Sequence, residues 1–202
     1  MSINVCNDRS MASITSLPSG VSGGSLVLIS TVTASDSATI SFTSGIDSTY
    51  KEYIFKYTDI HPATDNASFQ VNFRDGSTAY DATKTTTNFR CYHDEAGTTT
   101  SLSYLGTEDL AQSTAVQIIG RTIGADNDQC GVGNIHLFDP SNTTFVKHFL
   151  TAEIAQQNNE QAVSVSTAGY CNVTAAIDAV QFKMSSGNID SGTIKLYGLK
   201  DS

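Results

Sequence analysis

Ile177-Asp178-Ala179-Val180-Gln181-Phe182-Lys183-Met184, followed by Ser185-Ser186-Gly187-Asn188 and, past Gly192, by Thr193-Ile194-Lys195-Leu196-Tyr197-Gly198-Leu199, is the stretch on which the fold turns. Val180, Phe182 and Met184 alternate with Gln181 and Lys183, and Ile194 and Leu196 alternate with Lys195. A period of two sends one set to a core and the other to water, the geometry of a strand and not of a helix. The Ser-Ser-Gly-Asn link reads as a turn, so a pair of strands is expected here. Its register is well specified, because a slip of one residue would expose Phe182 and Leu196 together.

Working outward, the same chemistry recurs. Tyr53, Phe55 and Tyr57 alternate with Ile54, Lys56 and Thr58, and Phe69, Val71 and Phe73 alternate with Gln70 and Asn72. Strands are expected over residues 26–33, 38–43, 50–60, 67–74, 88–93, 115–123, 131–138, 145–153 and 161–170, the last four each bounded by Gly, Asn, Asp or Pro. Asp139-Pro140-Ser141-Asn142 reads as a hairpin turn. Residues 77–112 carry little hydrophobic pattern, since Thr83-Lys84-Thr85-Thr86-Thr87 and Thr98-Thr99-Thr100 dominate them; residues 108–113 are read as one helical turn. About ten short strands without helical interludes exclude a βαβ fold and predict an all-β antiparallel sandwich of jelly-roll type. Residues 1–25, with Leu17-Pro18-Ser19-Gly20 and Gly23-Gly24, show neither period and are read as an extended N-terminal arm, a possible anchor; residues 26–202 are read as the sandwich domain.

Composition agrees. Ser and Thr make up about a quarter of the 202 residues, beside 8 Tyr, 9 Phe and 15 Gly, which suits pleated surfaces and the turns between them. With 11 Lys and Arg against 20 Asp and Glu, the net charge of -9 argues against nucleic-acid binding and favours solubility. The N-terminus lacks a basic and apolar leader, and the longest apolar run is too short to span a bilayer, so synthesis in the cytoplasm and no membrane insertion are expected.

Candidate chemistry is sparse. Asp126-Asn127-Asp128 is the most metal-like group, with Asp126 and Asp128 as candidate ligands for a hard cation such as calcium, but the third acidic position, the glycine offset and the distal Glu of a calcium loop are missing. The segment reads first as a solvated polar turn, and no metal or cofactor is expected. His61, His93, His136 and His148 occur singly; His136 and His148 fall on successive strands, where a shared site is conceivable. Cys6, Cys91, Cys130 and Cys171 lack any zinc spacing and read as small buried residues. Glu52, Asp59, Glu95, Glu108, Asp109 and Glu153 offer carboxylates for a glycosidase, but nothing in their spacing selects a pair. The absence of Trp removes the strongest stacking platform for a sugar. No nucleophile elbow or phosphate loop is present, and the chain is not expected to be an enzyme.

Three runs carry a resemblance. Ile46-Asp47-Ser48-Thr49-Tyr50 with Tyr53-Ile54-Phe55, Asp59-Ile60-His61-Pro62-Ala63-Thr64-Asp65-Asn66, and above all the stretch quoted first, look like a jelly-roll-like domain recurrent in structural proteins of tailed bacteriophages. The resemblance covers roughly residues 26–199. It implies a virion protein, made in the host cytoplasm and often oligomeric, a homotrimer being expected. A capsid decoration or cement protein docking on the major capsid protein fits best. The alternative is a head or tail fibre component or adaptor that binds a host surface glycan or another tail protein, and a polysaccharide depolymerase is a third reading. No functional residue is carried over, because the domain has no catalytic or ligand motif to match.

Overall fold

The computed structural model describes residues 25–200. The expected arm over residues 1–25, and Cys6 with it, lies outside the described residues except for Ser25. Twelve strands follow one another: β1 (Leu26–Thr33), β2 (Ile40–Phe42), β3 (Glu52–Pro62), β4 (Ala67–Arg74), β5 (Lys84–Asp94), β6 (Thr100–Tyr104), β7 (Gln117–Ile123), β8 (Gly131–Phe138), β9 (Lys147–Gln157), β10 (Gln161–Cys171), β11 (Ala179–Met184) and β12 (Ile189–Leu199). The chain is all-β, as the alternation predicts, and every ladder is antiparallel.

The strands form two layers. The broad one runs β1-β12-β3-β8-β9-β10-β5-β6, and the narrow one runs β7-β4-β11-β2. The layers join at one corner through a single pairing of Ile123 with Gln157, so the sheet is nearly closed there. Two insertions set the width of the broad layer: β5 and β6 intervene between β4 and β7, and β9 and β10 between β8 and β11. Without them the layers would be β1-β12-β3-β8 and β2-β11-β4-β7.

The core is the space between the layers. Phe182 on β11 stacks on Phe69 at 5.6 Å between ring centroids and meets Phe55 at 5.6 Å and Phe42 at 6.2 Å edge-on. Phe55 comes from the broad layer and the other three from the narrow one, so this cluster bonds layer to layer. Tyr53, Phe55, Tyr57, Phe69, Val71 and Phe73 are all buried on the faces that their alternation predicts.

Three expectations need correction. The stretch 177–199 does form two strands with Phe182, Met184, Ile194 and Leu196 inward, but β11 and β12 do not pair with each other. β11 lies between β4 and β2, while β12 lies between β1 and β3 in the opposite layer. Alternation decides which way a side chain points and is silent about which neighbour a strand takes. Residues 108–113 form no helix; a turn closed by Glu108 N–H on Leu105 O starts a segment that runs beside β5, with Thr86 N–H donating to Leu110 O and Lys84 N–H to Ser113 O. The strand expected over 88–93 extends over Lys84–Asp94, and its partner β6 was not anticipated.

The packing of Phe182 gives a direct test. Phe182→Ala is expected to lower unfolding stability by about 3–5 kcal/mol through lost burial and the cavity left behind, read as a lowered urea midpoint at unchanged slope. A loss below about 1 kcal/mol would contradict the placement of Phe182 between the layers.

Candidate functional site

The sequence candidates are scattered by the fold. Asp126 and Asp128 sit exposed on the loop between β7 and β8, where Gln129 N–H closes a turn on Asp126 O at 2.9 Å. His61 Nε2 lies 3.3 Å from the same carbonyl. Among the described residues no group of three or more His, Cys, Asp or Glu is gathered to hold a metal. His136 and His148 share the outward face of β8 and β9 but engage different partners. His136 Nδ1 is 2.5 Å from Glu52 Oε1, while the His148 ring lies beside Tyr170. The carboxylates disperse too: Glu52 goes to His136, Glu108 to Arg121, Asp109 to Tyr104 and Glu153 to Tyr57. The expectation that the cysteines are buried holds for Cys171; Cys130 is half-buried and Cys91 is exposed, because Cys91 falls on an outward position of β5.

Two buried polar groups emerge instead. Glu153 on β9 points inward, is fully enclosed, and accepts a hydrogen bond from Tyr57 Oη at 2.9 Å. Room for this pair exists because two neighbours lack side chains. A Cβ at Gly120 would overlap the Glu153 carboxyl, and one at Gly133 would overlap the Tyr57 hydroxyl. Burial pushes the Glu153 carboxyl up to about 8, with the Tyr57 hydrogen bond opposing in part, so it is mainly neutral at pH 7. At the far end of the same layer, Lys84, Cys171 and Lys147 stand side by side on β5, β10 and β9. Lys84 Nζ donates to Asn72 Oδ1 at 2.5 Å and Ala82 O at 2.9 Å, and Lys147 Nζ donates to Val173 O at 2.7 Å. Burial pulls Lys84 down to about 8 and pushes the Cys171 thiol up to about 12. The two lysines are tied to protein partners and hold the end of β5 to β4 and to the Ala82 carbonyl, and the end of β9 to the Val173 carbonyl.

A polar hollow of about 260 Å³ opens where the broad layer overhangs the narrow one. Arg90, Tyr92, Arg121, Asn66, Asn158 and Gln161 line it. The Arg90 guanidinium lies over the Tyr92 ring at 4.9 Å, and Arg121 pairs with Glu108. Burial and the positive charge of Arg90 pull Arg121 below its ordinary value. With Arg121 compensated by Glu108, the Arg90 guanidinium is the charge without a carboxylate partner among the described residues, and in a chain of net charge -9 it makes the hollow fit a carboxylate or another anion with hydroxyl neighbours. Sequence reading missed it because Arg90 and Arg121 sit on strands that never pair.

The outer surface of the broad layer carries the other feature. On β6, β5, β10, β9 and β8, none of the outward-facing residues is Asp, Glu, Lys or Arg. Leu102 is 75% exposed, Tyr104 65%, Ile154 60% and Leu150 50%, with Phe89 and Val132 also open. Charge returns at β3 and β12, where Glu52, Lys56 and Lys195 face outward. Among the described residues no helix is long and apolar enough to cross a membrane. No family model matches the chain, and no curated protein matches it.

Glu153 sets a pH dependence whose sign follows from its raised folded value. Between 4.5 and about 8 the folded state keeps a proton that the unfolded chain releases, so the contribution of Glu153 is complete below 4.5 and is lost as pH rises toward about 8. The span corresponds to a loss on the order of 5 kcal/mol at most. Glu153→Gln keeps an acceptor for Tyr57 and is expected to flatten this part of the stability-pH curve, measured by urea unfolding from pH 4.5 to 8.5. An identical slope in wild type and variant would show that Glu153 is ionised in the fold.

Proposed function

We propose that this chain is a structural protein of a bacteriophage particle, and specifically a decoration or cement protein docking on the shell formed by the major capsid protein. The observation that carries this reading is the uncharged outer face of five strands. A face left to water in an acidic protein is ordinarily dotted with charge, whereas contiguous exposed apolar area beyond a few hundred Å² marks a surface that another protein covers. The elements that carry it are mainly the two insertions, β5-β6 and β9-β10, which the remaining eight strands do not need in order to close a sandwich. The order of those eight, β1-β12-β3-β8 over β2-β11-β4-β7, supports the jelly-roll reading, being that of two Greek keys wrapped together. The resemblance of the runs 46–55, 59–66 and 177–198 to phage structural domains supports the particle. Residues 1–25 then serve as the anchor to the shell.

A second reading, a fibre component or adaptor that holds a host glycan, is favoured by the hollow of Arg90 and Arg121. It fits a sugar bearing a carboxylate, with the amide side chains of Asn66, Asn158 and Gln161 available to its hydroxyls.

Copy number separates the two. Quantitative mass spectrometry of purified particles is expected to find the chain at a fixed, near-stoichiometric ratio to the major capsid protein, and deletion of residues 1–24 is expected to abolish that occupancy while the sandwich stays folded. A few copies per particle would favour the fibre reading, and absence from particles would contradict both. If the hollow holds an acidic sugar, Arg90→Gln is expected to weaken binding to carboxylated glycans about 10- to 100-fold, with neutral glycans unaffected. Equal weak signals for acidic and neutral glycans would remove the second reading.

A further inference from the structure

The uncharged face has a relief that bears on what covers it. Outward side chains on β10 are small from Ala162 through Ser164 and Ser166 to Ala168, and Tyr170, beside His148, closes the end of that run. On one flank stand Leu150 and Ile154 of β9, and on the other Phe89, Leu102 and Tyr104 of β5 and β6. The result is a trough between two apolar ridges, with hollows of about 330 and 260 Å³ opening along it beside Leu150 and Ile154. Ridge and trough therefore lie on one surface, which is what packing against an identical surface requires.

We propose that this face is where copies of this chain meet, a ridge of one copy seated in the β10 trough of the next; the inference rests on the reading of the chain as an assembly subunit. Charge, area and shape all favour a second copy as occupant. Two chains of net charge -9 repel, and elsewhere on the broad layer Glu52, Lys56 and Lys195 face outward. Across the uncharged face two copies approach without opposing like charges, and no buried ion has to be desolvated. A basic or nucleic-acid partner would find no complementary charge there. Five strands about 4.8 Å apart, β5, β9 and β10 of 11 residues with β8 of 8 and β6 of 5, at about 3.3 Å per residue cover roughly 730 Å², close to the area each partner contributes to a stable protein interface. Sheets stacked face to face with interdigitated side chains are also an ordinary packing mode of β proteins.

The test uses the full chain. Sedimentation at micromolar concentration is expected to show a dimer or a multiple of it, because a face that packs on its own copy closes by a two-fold axis; a trimer overturns the proposal. Ile154→Lys places a charge at an exposed position of the ridge and is expected to weaken association at least about a hundredfold with unchanged circular dichroism; Lys195→Glu, outside the face, is expected to leave the oligomer intact. Cys91 supplies a readout that needs no variant. It points outward between Leu102 and Ser164, so in the assembled wild type its alkylation, located by peptide mapping, is expected to be slowed at least tenfold relative to the urea-unfolded chain. A monomeric wild type overturns the proposal, and so does an oligomer in which Cys91 alkylates at the unfolded rate or Ile154→Lys changes nothing. An oligomer absent from phage particles would defeat the proposed function and leave this inference standing. A monomer present at shell stoichiometry would do the reverse.

Discussion

The aromatic cluster of Phe42, Phe55, Phe69 and Phe182 is the interaction on which the rest of the molecule depends. It is the place where the narrow layer grips the broad one, and it fixes the register of β2, β3, β4 and β11 because a one-residue slip in any of them would turn its ring to solvent. Once these strands are placed, β12 and β1 are added beside β3, and β8 beside its other edge. The two insertions then widen the broad layer, with Phe149 of β9 against Phe73 of β4 and with β5 bonded to β7 of the narrow layer. Hydrophobic burial between layers accounts for the eight-strand sandwich. It does not account for the outer surface of the extension.

Beneath that extension the interior changes character. Lys84, Thr86 and Asn88, at inward positions in the first half of β5, are all buried: Lys84 Nζ donates to Asn72 Oδ1 and Ala82 O, Thr86 Oγ1 donates to Gln117 Oε1 at 2.7 Å, and Asn88 Nδ2 donates to Ile118 O at 3.2 Å. Glu153 sits in the same layer as a mainly neutral acid hydrogen-bonded to Tyr57. Directional polar bonds join the apolar packing of Phe149, Val163 and Val165 there. Such networks stabilise little on balance but tolerate few alternative arrangements. A surface intended to meet another subunit gains from that rigidity.

How much of this was legible varied with the physics of each segment. β4 was readable to its ends because apolar side chains alternate along it between clear turn residues, and β1 and β8 because turn residues bound short apolar, β-branched runs. β5 was readable only in part because its inward residues are polar and mimic a solvated loop, and β6, exposed on one face and half-buried on the other, carries only Leu102 and Tyr104 as apolar residues, too short a pattern to mark a strand. Pairing was the weakest inference: β11 and β12 are adjacent in sequence and separated by a turn, yet they belong to opposite layers, since connections across a sandwich leave the same alternation as a hairpin. Glu153 stood among the carboxylates considered, but its burial depends on Gly120 and Gly133, which lie on other strands. The uncharged face was invisible for the same reason: the missing charges become a surface only when the β6-β5-β10-β9-β8 order is known. No such reassembly links Asp126 and Asp128 to a third ligand among the described residues.

The structure thus divides into a sandwich built on aromatic packing and an extension whose outward side is suited to another copy of the chain. A reconstruction of the purified full-length oligomer at side-chain resolution tests that division most directly. The expected result is an interface centred on β9 and β10, with Leu150 and Ile154 buried against a neighbouring copy and Glu52, Lys56 and Lys195 left at its rim or in solvent. An oligomer joined through the narrow layer or through β1, with Leu102, Leu150 and Ile154 facing water, would contradict it.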